Sequence, residues 1–587
     1  MSAGRDRWAA QAMLQQWRFL RPDRLWVGLV LVLTFGQTMA TLFLPHLMSS
    51  IVDVGVVHGD VRYIVRVGAV MLGVAALGGV ASVGASWYGA RATAGFGQRL
   101  RDELFAHVEG FTLREFDELG TSSLIVRTTN DVMQVQQLVN MMLRMMVTAP
   151  LTAIGGIILA VATDARLSLV IVVAIPVLGV AIYLVMGRGL GLFRTLQQKV
   201  DGLNRVLREN LTGVRVIRAF NRTSSELDRF DASNRDLTDT SVEVFRLMAV
   251  AMPLVSLVMN LSTIAIVWFG GVQINGGTLQ IGQLMAFIQY VMQIMFAVMM
   301  VSMMSFMIPR GEASAQRINE VLAMTPEIRD PSAPRPLPAG PLDIAFDGVT
   351  FRYPGAEEPA LSEVSFTARA GQVTAIIGGT GAGKSTLLNL ILRFYDAAEG
   401  AVRIGGVDVR QVAQADLRLR IGYVPQRAVL FTGTIAANIR YGTPDADDAT
   451  LHRAAVTAQA SEFVDEMPGG FEAEISQGGT NLSGGQKQRM SIARALARHP
   501  DVYLFDDSFS ALDYKTDALL RAALRREVTA ATVLIVAQRV STVMDADQIL
   551  VLDEGRLVGS GTHRELLEGC PVYREIVSSQ LAPGEIA

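Results

Sequence analysis

Long windows without ionisable side chains dominate the first half of the chain. Four of these windows cover residues 25–45, 67–90, 145–163 and 167–187. Each approaches or exceeds the ~20 residues that a helix needs to cross the hydrocarbon core of a membrane. A fifth window, 247–309, contains the turn-like sequence INGG and therefore divides into spans near 247–272 and 281–308. The pattern predicts an all-α membrane domain of six helices.

The first window is interpreted as a retained span, because it is too long for a secretory signal peptide and lacks the cleavage pattern of one. The polar segments 91–134 and 188–246 are predicted to be helical rather than loose. Within the first of them, FGQRLRDELFAHVEGF (96–111) places apolar residues at helical spacing with charges between them. We therefore expect the membrane helices to continue as long extensions outside the bilayer.

Arginine is unevenly divided between the two sides of the predicted membrane. The N-terminal segment carries five arginines, and both long polar segments are rich in arginine. The alternate connections 49–66, 164–166 and 273–280 are short and hold three arginines between them. The positive-inside rule therefore places the N-terminus, both long segments and everything after 310 in the cytoplasm. The prediction is a multi-pass protein of the cell membrane.

The composition agrees with a membrane domain joined to a soluble one. Of 587 residues, 50% are hydrophobic and 18% are charged, and the net charge of −3 shows no nucleic-acid-binding character. The single cysteine, Cys570, excludes an intramolecular disulfide and offers no metal cluster. A proline-rich stretch at 326–341 cannot be helical throughout. The predicted divisions are a cytoplasmic N-terminal segment (1–24), a transmembrane domain (25–310), a helix end with linker (311–341) and a soluble domain (342–587).

A glycine-rich motif in the soluble domain indicates nucleotide binding. The sequence QVTAIIGGTGAGKSTLLNLI (372–391) runs from a predicted strand through a loop into a predicted helix and matches G-x-x-x-x-G-K-[ST]. In this motif backbone N–H groups surround phosphates at a helix N-terminus, the lysine reaches the β- and γ-phosphates, and the serine ligates Mg²⁺. A flexible glycine turn would not explain the Lys-Ser pair. The predicted ATP-binding residues are Gly378, Gly379, Thr380, Gly381, Ala382, Gly383, Lys384, Ser385 and Thr386.

Two adjacent acids, Asp506 and Asp507, end the apolar run in VYLFDDSFSALD (502–513). A carboxylate at the end of a buried strand can hold Mg²⁺ opposite Ser385, so Asp506 is predicted to be a metal ligand. Taken alone, such a run also occurs in any buried strand that reaches a turn. The phosphate loop favours the metal-binding interpretation.

A second phosphate-binding surface is predicted at the start of another helix. A serine hydroxyl and two glycine amides head this helix within LSGGQ, at Ser483, Gly484, Gly485 and Gln486. Without the phosphate loop, a capped helix with a solvated basic face would be the simpler interpretation. Two such surfaces in one chain suggest that two chains share ATP.

These motifs together resemble the nucleotide-binding domain of ATP-binding-cassette (ABC) transporters, an α/β P-loop NTPase domain. Six preceding spans fused to that domain resemble the exporter half-transporters of the family, and the resemblance covers nearly the whole chain. It implies that Tyr353 in FRYPG stacks on adenine and that Gln426 in VPQ contacts Mg²⁺ and senses the membrane domain. Such exporters work as dimers in which each ATP lies between the phosphate loop of one chain and the LSGGQ of the other.

The same resemblance assigns roles to three further segments. Residues 510–513 would form the loop that contacts the partner chain. The segments around 116–121 (FDELGT) and 217–225 (IRAFNRTSS) look like the cytoplasmic tips that dock on the nucleotide domains.

Two departures from the family pattern fall in one site. Active members have glutamate as the general base after the strand acid, whereas this chain has Asp507, and the switch histidine is replaced by Gln538 in IVAQRVST. Aspartate is one methylene shorter. Gln538 can hydrogen-bond to a γ-phosphate but cannot take up a proton. Loss of a general base typically costs ~10²–10⁴ in rate. The chain therefore resembles the degenerate half of heterodimeric exporters, whose partner half-transporter supplies the glutamate and the histidine.

The predicted substrate is a hydrophobic or amphipathic small molecule or a lipid. Gln289 and Gln293 lie on one predicted helical face, and methionine adapts to varied apolar shapes. The predicted spans five and six contain many methionines, including Met292, Met295, Met299, Met303 and Met307. Ordinary helix packing and lipid contact explain these methionines equally well.

Three alternatives to an exporter subunit remain open on the sequence. An importer of a lipid or siderophore on the same scaffold would differ in the direction of transport into vesicles. A homodimer in which Asp507 serves as a slow base would show ATPase activity when the chain is purified alone. A regulator switched by nucleotide would bind ATP and move nothing.

Overall fold

A computed structural model describes residues 15–581, except for the side chains of residues 305 and 306. The chain forms two compact units. Among the described residues, the first contains 15–109 together with 121–324, and the second contains 110–120 together with 325–581.

Within the described residues, six helices of the first unit are long and apolar enough to cross a membrane, as predicted. Spans one to six are Trp17–Val56, Val61–Glu109, Thr121–Thr163, Leu169–Ala219, Thr223–Asn275 and Ile281–Ala323. Span one opens with a 3₁₀ turn, Trp17–Asp23, and ends in a π-helical turn, Ile51–Val56. A second π-helical turn, Arg127–Asp131, lies within span three.

The helices extend far beyond the apolar windows. Spans two, four and five have 49, 51 and 53 residues. At about 1.5 Å per residue, each is roughly 75 Å long, more than twice the ~30 Å hydrocarbon core. The predicted long extensions are thus confirmed as continuous helix.

Two buried carboxylates fix span six against its neighbours. The carboxylate of Asp131, which is fully buried, accepts hydrogen bonds from Ser314 Oγ (2.9 Å) and Arg317 Nε (2.7 Å). Asp53 accepts a 2.6 Å hydrogen bond from the backbone N–H of Gly282, where an added Cβ would lie 2.7 Å from the Asp53 carboxylate. Removing the Arg317 side chain would leave the buried Asp131 carboxylate without its charged partner, which is strongly destabilising.

The second unit contains twelve strands among the described residues. They are β1 (Ile344–Phe351), β2 (Leu361–Ala368), β3 (Val373–Gly378), β4 (Glu399–Ile404), β5 (Val407–Asp408), β6 (Ile421–Val424), β7 (Gly433–Thr434), β8 (Glu474–Ile475), β9 (Val502–Asp506), β10 (Thr532–Val536), β11 (Gln548–Asp553) and β12 (Arg556–Gly561). The central sheet has the order β12-β11-β3-β10-β9-β6, and the others are β2-β1-β4-β5 and β7-β8.

Helices cover both faces of the central sheet. The α-helices of the second unit, among the described residues, are α1 (Leu113–Leu119), α2 (Lys384–Ile391), α3 (Gln414–Leu419), α4 (Ile435–Ile439), α5 (Asp448–Thr457), α6 (Ser461–Glu466), α7 (Gly484–Leu496), α8 (Tyr514–Glu527), α9 (Val540–Val543), α10 (His563–Gly569) and α11 (Pro571–Gln580). Along β3, Ile376 packs in one buried apolar cluster, and Ala375 and Ile377 pack in the other. Burial on both faces explains why the strands read as continuous apolar runs.

Helix α1 belongs to the second unit although it follows span two in sequence. Glu115 forms a capping box with Thr112 and also accepts a 3.2 Å hydrogen bond from the Glu327 backbone N–H. Burial opposes ionisation of Glu115, but these hydrogen bonds outweigh it and lower the pKa of the carboxyl. Asp117 accepts a 2.9 Å hydrogen bond from the Tyr395 hydroxyl. Residues 110–120 are thereby anchored on the domain that carries the phosphate loop.

Candidate nucleotide site

Four parallel strands of the central sheet end at the candidate site. β3 pairs with β10, β10 with β9, and β9 with β6, all in parallel. The loops after these strands carry the phosphate loop, Gln538, Asp507 and Gln426, respectively. Because the carboxyl ends of parallel strands meet at one edge of a sheet, these residues converge there.

The phosphate loop needs glycine at two positions in particular. A Cβ on Gly378 would lie 2.1 Å from the Leu552 carbonyl oxygen. Gly383 has φ +94°, and a Cβ there would lie 2.7 Å from the Ala360 carbonyl oxygen. Neighbouring backbone therefore excludes side chains from both positions, and the loop curls closely over the start of α2.

Lys384, the first residue of α2, is folded over the loop. Its Nζ donates hydrogen bonds to the carbonyl oxygens of Gly378 (2.9 Å) and Gly379 (2.6 Å). Burial lowers the pKa of the Lys384 ammonium, and the charges of Asp507 and Asp506 oppose that shift. The side chain therefore presents a partly desolvated positive charge where phosphate oxygens would approach.

Ser385 and Asp506 face one another across the site. The Ser385 hydroxyl donates to Asp506 Oδ1 at 2.9 Å, and Asp506 is 6% exposed. Burial raises the pKa of the Asp506 carboxyl, while the Ser385 hydrogen bond acts against that shift. Oxygens at adjacent corners of a Mg²⁺ octahedron, with bonds of about 2.0–2.1 Å, lie about 2.9 Å apart. The pair therefore fits two neighbouring positions in the coordination sphere of Mg²⁺.

Asp507 is held by two glutamine amides. Gln538 Nε2 donates to Asp507 Oδ2 at 3.1 Å, and Gln426 Nε2 approaches the same oxygen at 3.4 Å. Asp507 has φ +45°, a left-handed conformation that Asp and Asn adopt more readily than most residues. Asp507 and Gln538, the two departures noted in the sequence, are thus hydrogen-bonded to each other.

Tyr353 lies beside the phosphate loop in an aromatic cluster. Its ring meets the rings of Phe351 and Tyr395 edge-on, with centroids 4.9 and 5.4 Å apart. Its hydroxyl is 3.0 Å from the Thr386 hydroxyl in the first turn of α2. Tyr395, in turn, contacts Asp117 of α1 through its hydroxyl, and burial raises the pKa of this phenol so that it keeps its proton. The cluster therefore links residues 110–120 to the edge of the phosphate loop.

The LSGGQ motif forms the capped start of α7. Ser483 Oγ accepts from the Gln486 backbone N–H at 3.3 Å, and Gln486 Oε1 accepts from the Ser483 N–H at 2.8 Å. A Cβ on Gly485 would lie 3.2 Å from the Ala511 carbonyl oxygen, whereas Gly484 has open space around it. The Gln486 side chain is therefore part of the cap, and Gly485 packs against the loop at 510–513.

The predicted site residues fall into two groups. The phosphate loop, Gln426, Asp506, Asp507 and Gln538 meet at one edge of the sheet, and Tyr353 joins them through Thr386. The LSGGQ residues instead bond within their own capping box and pack beside Ala511. Sequence reasoning missed Tyr395, because it lies in no nucleotide-binding motif, whereas Asp117 lies in the predicted docking segment 116–121 and contacts the nucleotide domain through Tyr395.

Comparison with known families identifies both parts of the chain. The ABC transporter transmembrane region matches residues 27–298, and the ABC transporter domain matches residues 361–510. The chain is 44% identical over 573 residues to an uncharacterized ABC transporter ATP-binding protein of Mycobacterium tuberculosis, covering 97% of this chain and 98% of that protein. The chain therefore belongs to the ABC transporter family as a half-transporter, a transmembrane domain fused to an ATP-binding domain.

Two further similarities refine this assignment. The chain is 32% identical over 536 residues to an ATP-dependent lipid A-core flippase of Chromobacterium violaceum, covering 91% of each. A bacterial Atm1-family ABC exporter solved with ATP bound superposes with a TM-score of 0.77 at 27% identity, covering 96% of this chain and 99% of that one. The fold is that of an ABC exporter, and the protein is an ATP-driven, multi-pass membrane transporter.

Proposed function

We propose that this chain is one half of a heterodimeric ABC exporter and that its own ATP site binds nucleotide but hydrolyses it slowly. The partner is a second half-transporter that carries glutamate and histidine at the positions of Asp507 and Gln538. Its phosphate loop is completed by the LSGGQ motif of this chain, at Ser483 and Gly485.

The hydrogen bond between the Gln538 amide and the Asp507 carboxylate is the main observation that supports this proposal. A general base must reach the water that attacks the γ-phosphate, within about 3 Å of it. The short Asp507 side chain instead accepts the Gln538 amide at 3.1 Å, and Gln426 approaches the same oxygen. An amide cannot relay a proton, so both changes weaken proton transfer at one site.

The binding parts of the site support retention of ATP. The N–H groups at the start of α2 and the Lys384 ammonium would hold the phosphates, and Tyr353 would stack on adenine. Ser385 and Asp506, with Gln426 nearby, would hold Mg²⁺, which neutralises charge on the phosphates when it is bound. Slow cleavage therefore does not require weak binding.

A methionine-rich face of span six supports transport of a hydrophobic or amphipathic molecule or a lipid. Met292, Phe296, Met303 and Met307 follow each other at helical spacing and are 44–62% exposed. The opposite face packs inside the unit, where Ile294 is fully buried. Methionine adapts to apolar ligands of different shape. The likeness to a lipid A-core flippase favours the same substrate class.

The arginine distribution supports a cytoplasmic position for the N-terminus, the long helical extensions and the nucleotide domain. Substrate would then move from the cytoplasm or the inner leaflet outward across the cell membrane. Transport into inside-out vesicles that contain both subunits tests this direction, because an importer on the same scaffold would move substrate the other way.

Purification of the chain without its partner tests the proposed asymmetry. Every site of a homodimer would carry Asp507 and Gln538, so we expect turnover ~10²–10⁴-fold below that of the complex. Steady-state ATP hydrolysis of both preparations in the same lipid nanodiscs provides the comparison. Robust, vanadate-sensitive turnover by the chain alone would instead support a homodimer in which Asp507 acts as the base.

A further inference from the structure

The helix α11 contacts the loop that carries Gln538. Gln580 Oε1 accepts a 2.8 Å hydrogen bond from the Val540 backbone N–H, and Gln580 Nε2 donates a 2.8 Å hydrogen bond to the Gln538 carbonyl oxygen. One side chain thus holds both ends of the three-residue turn 538–540.

The Val540 N–H is a group that needs an external partner. Val540 is the first residue of α9, whose N-cap residue, Arg539, makes no side-chain capping bond. The first N–H groups of a helix have no acceptor within the helix itself. Gln580 therefore supplies, from a distant part of the chain, the cap that the local sequence lacks.

Helix α11 provides a fixed base for this contact. Tyr573 and Val577 precede Gln580 by seven and three residues, lie on the same helical face and are at most 1% exposed. Both belong to the buried cluster that also contains Val540 and Val543. The position of Gln580 is therefore set by core packing.

The turn held by Gln580 also contacts the loop after β9. The Gln538 side chain donates to Asp507 Oδ2 at 3.1 Å, and Arg539 Nη2 donates to the Ser510 carbonyl oxygen at 3.1 Å. Residues 538–540 thus lie between α11 on one side and the acid-bearing loop on the other. A displacement of this turn would move the Gln538 amide relative to the site.

We propose that Gln580 is a positioning residue of the nucleotide site, which holds the turn 538–540 so that the Gln538 amide stays in reach of the γ-phosphate. This inference rests on the proposed role of Gln538 at the ATP site. ADP has no γ-phosphate, so Gln580 supports the preference for ATP over ADP and leaves ADP binding unchanged.

Replacement of Gln580 by leucine in the full chain tests the proposal. Loss of a hydrogen bond of this kind changes a binding affinity by about two- to tenfold. For Gln580→Leu we expect a Kd for fluorescent mant-ATP about fivefold higher than that of the wild type. The Kd for mant-ADP should remain within about twofold. Gln580→Glu keeps the acceptor for the Val540 N–H and loses the donor to the Gln538 carbonyl, so we expect an effect smaller than that of leucine.

Ser579→Ala is the matched control, because the Ser579 hydroxyl donates only to the Ile576 carbonyl oxygen of its own helix. We expect both Kd values to stay at wild-type levels in this variant. Equal losses of ATP and ADP affinity in Gln580→Leu would indicate a merely structural role and would overturn the proposal.

A double-mutant cycle separates this inference from the proposed site itself. In a Gln538→Ala background, Gln580→Leu should produce no further loss of ATP affinity. Additive losses would overturn the role of Gln580 and leave that of Gln538 intact. An unchanged ATP-to-ADP preference in Gln538→Ala alone would show that Gln538 does not contact the γ-phosphate. That result would overturn the proposed roles of both Gln538 and Gln580.

Discussion

Replacement of Gly485 by aspartate is expected to reduce ATP hydrolysis by the complex at least ~10²-fold, comparable to the loss of an oxyanion donor. Gly485 lies in the first turn of α7, whose N-terminal N–H groups would approach the γ-phosphate at the partner's competent site. A carboxylate there repels the phosphate, and its Cβ would lie 3.2 Å from the Ala511 carbonyl oxygen. The readout is steady-state hydrolysis at saturating ATP and Mg²⁺.

Lys384→Ala provides the contrasting variant in the same complex. Lys384 serves only the weak site, so ATP occupancy there should fall while overall hydrolysis drops less than about tenfold. Gly485→Ala controls for steric crowding without added charge and should retain more activity than Gly485→Asp. The asymmetric assignment loses its main support if Lys384→Ala is as severe as Gly485→Asp, and it is wrong if Gly485→Asp is the milder change.

Repair of the weak site is expected to require two substitutions. Asp507→Glu lengthens the base, but the Gln538 amide that now bonds to Asp507 at 3.1 Å would still be present. We therefore expect partial recovery from Asp507→Glu and larger recovery, up to ~10²–10⁴-fold over the starting rate, when Gln538→His is added. Groups that act as a unit in catalysis are non-additive, so the second substitution should have little effect alone.

The repair is measured as residual turnover in a complex whose partner lacks its own glutamate. The backbone at 507 does not prevent the substitution, because Glu363 and Glu554 already adopt left-handed conformations with φ +51° and +46°. Gln538→His alone is the control. Full recovery from Asp507→Glu alone would show that Gln538 does not limit the reaction.

The membrane spans were predictable because each depends on one continuous stretch of sequence. A charge-free window long enough to cross the hydrocarbon core is visible in the sequence, and five of the six predicted windows fall within the observed helices, while the window at 167–187 begins two residues before span four. The helix ends were less predictable. Span two continues to Glu109, well past the window at 67–90, because charged residues at helical spacing propagate a helix as readily as apolar ones.

The phosphate loop was predictable because its glycines, lysine and serine lie within one short motif. The contacts that orient the site were not, because they join residues far apart in sequence. Gln538 and Asp507 are separated by 31 positions, and Tyr395 and Asp117 by 278. The sequence did not indicate the contact of Gln580 with the turn 538–540, since a glutamine at a helix end is ordinarily solvated. Such pairings depend on side-chain directions that are fixed only by the packed sheet and helices.

The nucleotide that remains in the site of this chain after turnover provides the most direct test of a site that holds ATP and seldom cleaves it. The complex is incubated with α-labelled ATP and Mg²⁺, freed of unbound nucleotide by rapid desalting, and its retained nucleotides are separated. We expect uncleaved ATP to be retained and to be lost selectively in Lys384→Ala. Retention of ADP alone, with no ATP sensitive to Lys384→Ala, would contradict the account.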